Sequence, residues 1–253
     1  MIPLKKPDEL AAMREAGRVA ARVLDEMVRH TAPGVTTREL DELARDLIRR
    51  LGATSAFLGY RGFPGNTCIS INEEVVHGIP GGRIVQAGDL VSIDVGVFFK
   101  GFVGDNARSV LVSVTDARVI ELVDVAEASL RAGIARAVPG GRLGDISNAI
   151  ETVIRASGFT VVKDYVGHGV GRALHEDPQI PNFGPAGKGP VLRAGMTLAI
   201  EPMLNLGAAP VVTLADNWTV VTRDRKPSAH VEHTIAITED GPEILTVRPE
   251  IPL

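Results

Sequence analysis

The chain has 253 residues, 45% hydrophobic and 23% charged, with 27 basic against 31 acidic residues and a formal net charge of −4. That balance is ordinary for a folded protein; it excludes collagen-like, disordered and disulfide-scaffold classes and leaves no basic footprint for nucleic acid or anionic lipid. The longest charge-free stretch, Pro202 to Ala215, is 14 residues and carries Asn205 and Pro210, short of the ~18–20 apolar residues that span a bilayer. The N-terminus turns amphipathic at once, with no apolar export region. A lone cysteine, Cys68, cannot make an intrachain disulfide, so a reducing, cytoplasmic setting is expected. No apolar interface pattern stands out, and a monomer is the expectation.

Pro7-Asp8-Glu9 opens a helix of roughly 20 residues, with Leu10, Met13, Gly17, Ala20, Leu24 and Met27/Val28 at helical spacing. Thr36 and Glu39 form a capping-box pattern ahead of Leu40, Leu43, Leu47 and Leu51, and Gly52 closes that second helix. Ser70-Ile71 reads as a strand. Val91, Ile93, Val95 and Val97 form another, alternating with Ser92, Asp94, Gly96 and Phe98, and Val110, Val112 and Val114 supply its return. Helical periodicity comes back from Asp116 to Ala137 and from Leu143 to Ser157. Strands then dominate, including Thr197 to Ile200, Trp218 to Val221 and His233 to Ile237.

The order helix, helix, strands thus occurs twice. A shift of 106 aligns Pro33-Gly34 with Pro139-Gly140, Leu47-Ile48-Arg49 with Val153-Ile154-Arg155, and Gly52 with Gly158; a shift of 107 aligns Ala87-Gly88 with Ala194-Gly195 and Asp94 with Glu201. A duplication would bring the two aligned acids to a shared centre.

Asp94 and Asp105 flank a hairpin turn. A Phe99-Lys100 loop would set them directly opposite each other; a Lys100-Gly101 loop would make them diagonal neighbours. Either way they share a face, where two carboxylates repel unless protonated or bridged by a cation. Glu201 and Glu232 lie in apolar strand sequence, where an isolated carboxylate is costly to bury. His168 sits in Gly167-His168-Gly169-Val170-Gly171, flanked by glycines that leave the imidazole accessible; His175 follows seven residues on, and His77 stands at a strand-to-turn edge in Val76-His77-Gly78. His30, His230 and His233 read as structural. No GxGxxG, phosphate loop or GxSxG elbow is present, and Cys68 lacks a protease nucleophile's local signature.

With these residues assembled, nearly the whole chain resembles the short, type I methionine aminopeptidases of the pita-bread metallopeptidases. The stretches that carry the likeness are Leu58-Gly59-Tyr60, Cys68 to Glu73, Val76 to Pro80, Gly167 to Gly171, His175-Glu176-Asp177-Pro178, Ile200 to Met203 and Glu232 to Ile235. The resemblance implies one α/β pita-bread domain over 1–253, with pseudo-symmetric halves of roughly 1–115 and 116–253 around a curved antiparallel sheet. It implies five metal ligands, Asp94, Asp105, His168, Glu201 and Glu232, with Asp105 and Glu232 bridging two divalent ions drawn from Co, Mn, Fe or Zn. Attack by a metal-bridging hydroxide would remove the initiator methionine from nascent chains with a small second residue, at the ribosome. Glu201 would shuttle a proton, His175 would stabilise the tetrahedral intermediate and His77 would contact a peptide nitrogen. The methionine side chain would enter a pocket of Tyr60, Phe63, Cys68, His77 and Trp218. Arg61, Phe63, Val103, Asn106 and Leu174 depart from the residues usual in that family, which bears on pocket shape. A rival Xaa-Pro aminopeptidase would need a further N-terminal domain, and a binding module on the same fold would be expected to have lost ligands.

Overall fold

The computed structural model describes residues 2–247. Two helices, α1 (Pro7–His30) and α2 (Thr37–Arg50), lead into β1 (Thr54–Ser55), β2 (Cys68–Ile71), β3 (Glu74–Val76), β4 (Leu90–Phe99) and β5 (Phe102–Leu111). A second pair, α3 (Ala117–Ile134) and α4 (Leu143–Ala156), precedes β6 (Thr160–Val161), β7 (Gly167–Gly169), β8 (Glu176–Ile180), β9 (Thr197–Ile200), β10 (Met203–Asn205), β11 (Val211–Thr213), β12 (Val220–Thr222), β13 (Ser228–His230), β14 (His233–Thr238) and β15 (Gly241–Ile244). The returning strand therefore starts eight residues before Val110 and stops short of Val112, and Trp218 lies just ahead of β12. Valine alternation marks only the end of β5, because its first half carries Gly104, Asp105 and Asn106 in place of β-branched residues.

Helix starts follow their caps. Thr36 Oγ1 accepts from the Glu39 amide at 3.2 Å while Glu39 accepts from the Thr36 amide at 2.7 Å, satisfying two amides that the first turn leaves free. One half-chain later, Asp145 accepts from the Arg142 amide at 2.8 Å. Isolated bridges join Thr36 to Ile84 and Arg142 to Val191, positions related by the same offsets of 106 and 107.

All strand pairing is antiparallel. β4 lies between β2 and β5 and also pairs with β1; the second half's sheet runs β15-β14-β9-β7-β8. Val91, Ile93, Val95 and Val97 of β4 pack beneath Ala20, Leu24 and Met27 of α1 and Leu40, Ala44 and Ile48 of α2. Each fully buried Leu, Ile, Val or Met contributes about 1.5–3 kcal/mol. A matching core joins α3 and α4 to β9 and β14 through Leu122, Ile146, Ile150, Leu198 and Ile235. α1 lies so close to β5 that a Cβ at Gly104 would stand 2.4 Å from the Ala16 carbonyl oxygen, so only glycine permits that approach.

With helices outside both sheets, the opposite face of β4 and β5 turns toward β14 and β9. Three hydrogen-bonded links tie β5 to β13, to β14 and to the residues between those two strands. Thr234 Oγ1 donates to the Asp105 carbonyl at 2.7 Å and accepts from the Asp105 amide at 3.1 Å; the Glu232 amide donates to the Ala107 carbonyl at 3.0 Å; and Ser109 Oγ exchanges bonds with the His230 backbone at 3.0 Å.

Candidate active site

The β4–β5 register pairs Asp94 with Ala107 and Gly96 with Asp105, so the turn is Lys100-Gly101 and the two aspartates are diagonal neighbours on one face. Glu201 follows the last residue of β9, and Glu232 precedes β14. His168, central in β7, pairs with Ala199 of β9. One cavity of about 180 Å³ is lined by Asp94, Asp105, His168, Glu201 and Glu232 and also by Tyr60, Phe63, Cys68, His77, His175 and Trp218. Residues 172 positions apart in sequence, Tyr60 and Glu232, thus reach one space.

The polar half of the cavity is starved of partners. Asp105 Oδ1, Glu232 Oε1 and Asp94 Oδ1 are shut off from solvent and accept no hydrogen bond. His168 Nε2 lies 3.5 Å from Glu201 Oε1 and 3.9 Å from Asp105 Oδ2. Its Nδ1 sits 2.9 Å from the Gly169 carbonyl; a carbonyl only accepts, so Nδ1 carries the proton and a neutral ring presents the Nε2 lone pair to two carboxylates. Burial favours that neutral ring, pushing the His168 pKa down to about 3, with His175 adding to the effect. The carboxylates move the other way. Burial, followed by repulsion from Asp105 and Glu201, raises Asp94; burial raises Glu201 to about 8; Asp105 and Glu232 are raised by the same causes.

Buried lone pairs that face only one another are stable when protons or a cation lie between them. Donor atoms of Asp105, His168 and Glu232 all fall within 4.8 Å of one another, close enough for one ion to touch all three. Carboxylates with a single imidazole suit a divalent first-row metal, and the Nδ1–H···O=C bond that fixes the His168 tautomer is the usual support of a metal-binding histidine. The residues fit a divalent metal centre.

His168 itself is 8% exposed. The flanking glycines admit neighbouring backbone: a Cβ at Gly169 would meet the Asp177 carbonyl oxygen at 2.0 Å and one at Gly167 the Ala199 oxygen at 2.4 Å. The expectation that they leave the imidazole open is thereby corrected. The β7 backbone needs glycine because it is squeezed between β8 and β9.

Beside the acids lies an apolar wall. Phe63 and Trp218 meet edge to face with centroids 5.1 Å apart, and His77 stands 6.1 Å from Trp218 and 5.5 Å from Tyr165. Burial lowers the His77 pKa to about 4, with His230 and His175 contributing. His175 bridges the two parts: its ring is 4.2 Å from that of His168, stacks on Tyr60 at 5.2 Å, and its Nδ1 is 2.8 Å from the Tyr60 hydroxyl. Arg61, held at φ 49, places its guanidinium 5.3 Å from the Tyr60 ring centroid.

Two residues read as structural divide here. His233 turns away, its Nδ1 2.8 Å from Thr246 Oγ1. His230, by contrast, sets Nε2 3.4 Å from Glu201 Oε2. No local signal marks it, since the approach depends on β13 pairing with β10, which follows Glu201. Tyr165 and Val166 likewise line the cavity without a sequence pattern to announce them, and Met203, inside the stretch Ile200 to Met203, lines it too.

Among curated proteins, the chain is 53% identical over 246 residues to methionine aminopeptidase 1 of Bacillus subtilis, covering 97% of this chain and 99% of that one. It is 49% identical to the methionine aminopeptidase of Clostridium perfringens, at 98% and 99% coverage. The crystal structure of the Thermotoga maritima methionine aminopeptidase superposes with a TM-score of 0.96 at 48% identity, covering 97% and 99%. The prolidase of Pyrococcus horikoshii, at 21% identity, a TM-score of 0.78 and coverage of 97% and 64%, shares the pita-bread fold. A family match over residues 11–239 spans all five of the clustered acid and histidine residues, and with it the chain belongs to metallopeptidase family M24.

Proposed function

We propose that this chain removes the N-terminal methionine from polypeptides whose second residue is small, using two divalent ions (Co, Mn, Fe or Zn) held by Asp94, Asp105, His168, Glu201 and Glu232. The observation that carries the reading is the junction of two unlike surfaces in one cavity: solvent-free carboxylate oxygens with no protein donor against an aromatic and thiol wall. Aromatic rings and sulfur receive an unbranched thioether well. The names of the relatives at 53% and 49% identity point the same way.

Divalent ions bound there supply Lewis acidity for a scissile carbonyl and activate water near neutral pH. The remaining work belongs to side chains. Phe63, Trp218, Tyr60 and Cys68 hold the methionine side chain out of water. Glu201, at the edge of the cavity with part of its carboxylate still reached by solvent, takes a proton and returns it to the departing amine. His175, oriented by Tyr60 and kept neutral chiefly by burial, donates to the oxyanion. His77, also neutral, contacts the peptide nitrogen. We infer that both halves act as one domain around this site, in the cytoplasm, on chains emerging from the ribosome, as a monomer.

Hydrolysis of Met-Ala-Ser, Met-Phe-Ser and Ala-Pro-Ala, before and after chelation, tests the reading. Chelator-sensitive cleavage of the first alone is the expected result. Cleavage of Ala-Pro-Ala would favour an Xaa-Pro aminopeptidase, and cleavage of none would favour a non-catalytic binding role.

A further inference from the structure

Lys5 is a lysine with 8% of its surface exposed. Lysine is rarely buried unless its ammonium is paired. Its partner is Glu176, with 5% and 12% of the two side chains accessible. The lysine stem runs so close to Gly171 that a Cβ there would stand 2.4 Å from Lys5 Cε. The Lys5 amide donates to the Gly195 carbonyl at 2.7 Å, which fixes the root of the side chain.

Glu176 uses its two oxygens differently. Oε2 takes the Lys5 ammonium. Oε1 accepts from the amides of Arg172 and Ala173 at 2.8 and 3.2 Å. These amides belong to the loop between β7 and β8, which runs from Gly169 to Glu176, is anchored on β5 by the Val103 amide donating to Gly171 at 2.8 Å, and presents His175 to the cavity. The Glu176 carboxylate therefore ties the backbone of the loop, beside the Arg172 side chain's own ion pair with Glu9 at 2.9 Å, and a single buried ammonium holds the Glu176 carboxylate in place.

We propose that Lys5 is a positioning residue for His175: the Lys5–Glu176 pair sets the loop so that the imidazole meets both Tyr60 and the reacting carbonyl. This rests on the proposed role of His175 in methionine removal. Without the ammonium, Glu176 becomes an unpaired buried anion and turns outward to water, releasing the Arg172 and Ala173 amides. A displacement of about 1 Å in a donor to the oxyanion costs up to roughly 100-fold in rate, whereas the metal ligands and the apolar wall stay where they are. The loss therefore falls on kcat.

The test uses the full-length, metal-saturated enzyme and Met-Ala-Ser. Lys5→Met is expected to lower kcat about 10- to 100-fold with KM and bound metal little changed. In a His175→Ala background it should cost nothing further, since the residue it serves is gone. Lys5→Met/Glu176→Gln should recover most of the rate, because the amide oxygen still accepts from the loop while no charge is stranded. The His175 Cε1–H resonance, assigned by its absence in His175→Ala, should move in Lys5→Met and return in the double variant. A purely structural pair would lower the melting temperature and leave kcat unchanged, and losses that multiply in the His175→Ala background would likewise overturn the proposal. Should Lys5→Met fail to fold, Glu176→Ala, which removes the acceptor from the loop amides, read against His175→Ala decides in the same way. Failure of methionine removal itself would show in the wild type, which would then cleave no Met peptide, while the His175 resonance still reports on Lys5.

Discussion

Cys68 stands directly opposite Asp94 across the β2–β4 ladder, so the thiol and a carboxylate of the acid cluster are cross-strand neighbours. Burial pushes the thiol pKa well above its ordinary range, and the charges of Asp94 and Asp105 push it further. A thiol so placed is protonated at neutral pH, an apolar piece of wall with no nucleophilic role. Cys68→Ala should keep kcat while KM for Met-Ala-Ser rises a few-fold, in line with the ~0.3–1.5 kcal/mol of a sulfur contact. Iodoacetamide should leave Cys68 unmodified in the folded protein at pH 8 and label it after unfolding, as read by mass spectrometry. Rapid labelling of the folded form with loss of activity would contradict this.

The acid cluster predicts two effects of opposite sign from one substitution. Asp105 Oδ1 is buried without a donor and its carboxyl is raised first by burial and then by Glu201. Asp105→Asn removes a source of repulsion from the metal-free protein, which should gain stability, read as a higher melting temperature. The same change takes away an anionic donor, so metal affinity should fall by more than the ~10–100-fold that an outer-sphere change costs. Calorimetric melting of the chelated protein and titration with Mn²⁺ read the two separately. A variant less stable than wild type without metal would show that the cluster is not under repulsion.

How far the chain could be read without coordinates differs from residue to residue. The Asp94–Asp105 relationship is legible because hairpin pairing is arithmetic: once a turn is chosen, register follows, and the pairing of Gly96 with Asp105 decides between the two loops the sequence allows. Capping at Thr36 was legible because its partner lies three residues away. His230, Tyr165 and Lys5 were not, because their contacts join strands and loops far apart in sequence; Lys5 and Glu176 are 171 residues apart. The glycines around His168 were visible but their use was not, since close backbone approach depends on which strands flank β7.

The pH dependence of metal binding follows from the raised carboxylates. In the folded, metal-free protein Asp94, Asp105 and Glu232 are raised and Glu201 is raised to about 8, so these groups hold protons that the unfolded chain releases near pH 4. Rising pH through that window therefore destabilises the metal-free fold, because the unfolded state binds fewer protons there. Metal replaces those protons and removes the repulsion. His168, lowered to about 3, is already neutral in the folded protein across this range, so no proton has to leave it for a metal to bind. At fixed free Mn²⁺, the increase in melting temperature on adding metal should grow steadily from about pH 5.5 to about pH 8. An increase that stays flat or shrinks across that range would show that the carboxylates do not exchange protons for metal.

His230 offers the last prediction. Its ring is buried, its pKa is lowered by burial to about 4, and Nε2 approaches Glu201 Oε2 at 3.4 Å while Glu201 Oε1 faces His168. The backbone of His230 is clamped by Ser109, which is itself paired with Ser92 at 2.8 Å, so the ring cannot retreat. Glu201 thus has one oxygen turned to the acid cluster and the other facing, at 3.4 Å, a neutral imidazole nitrogen that has no other polar partner. His230→Ala leaves that second oxygen buried without a neighbour and frees the carboxylate to rotate. Metal affinity should fall about 10–100-fold, the usual cost of losing an outer-sphere partner, while the melting temperature of the metal-free protein changes little, because the space vacated lies beside groups that already lack partners. Isothermal titration with Mn²⁺ decides: wild-type affinity in His230→Ala would mean that the Ser109 clamp serves β13 packing alone and that Glu201 orients itself without help.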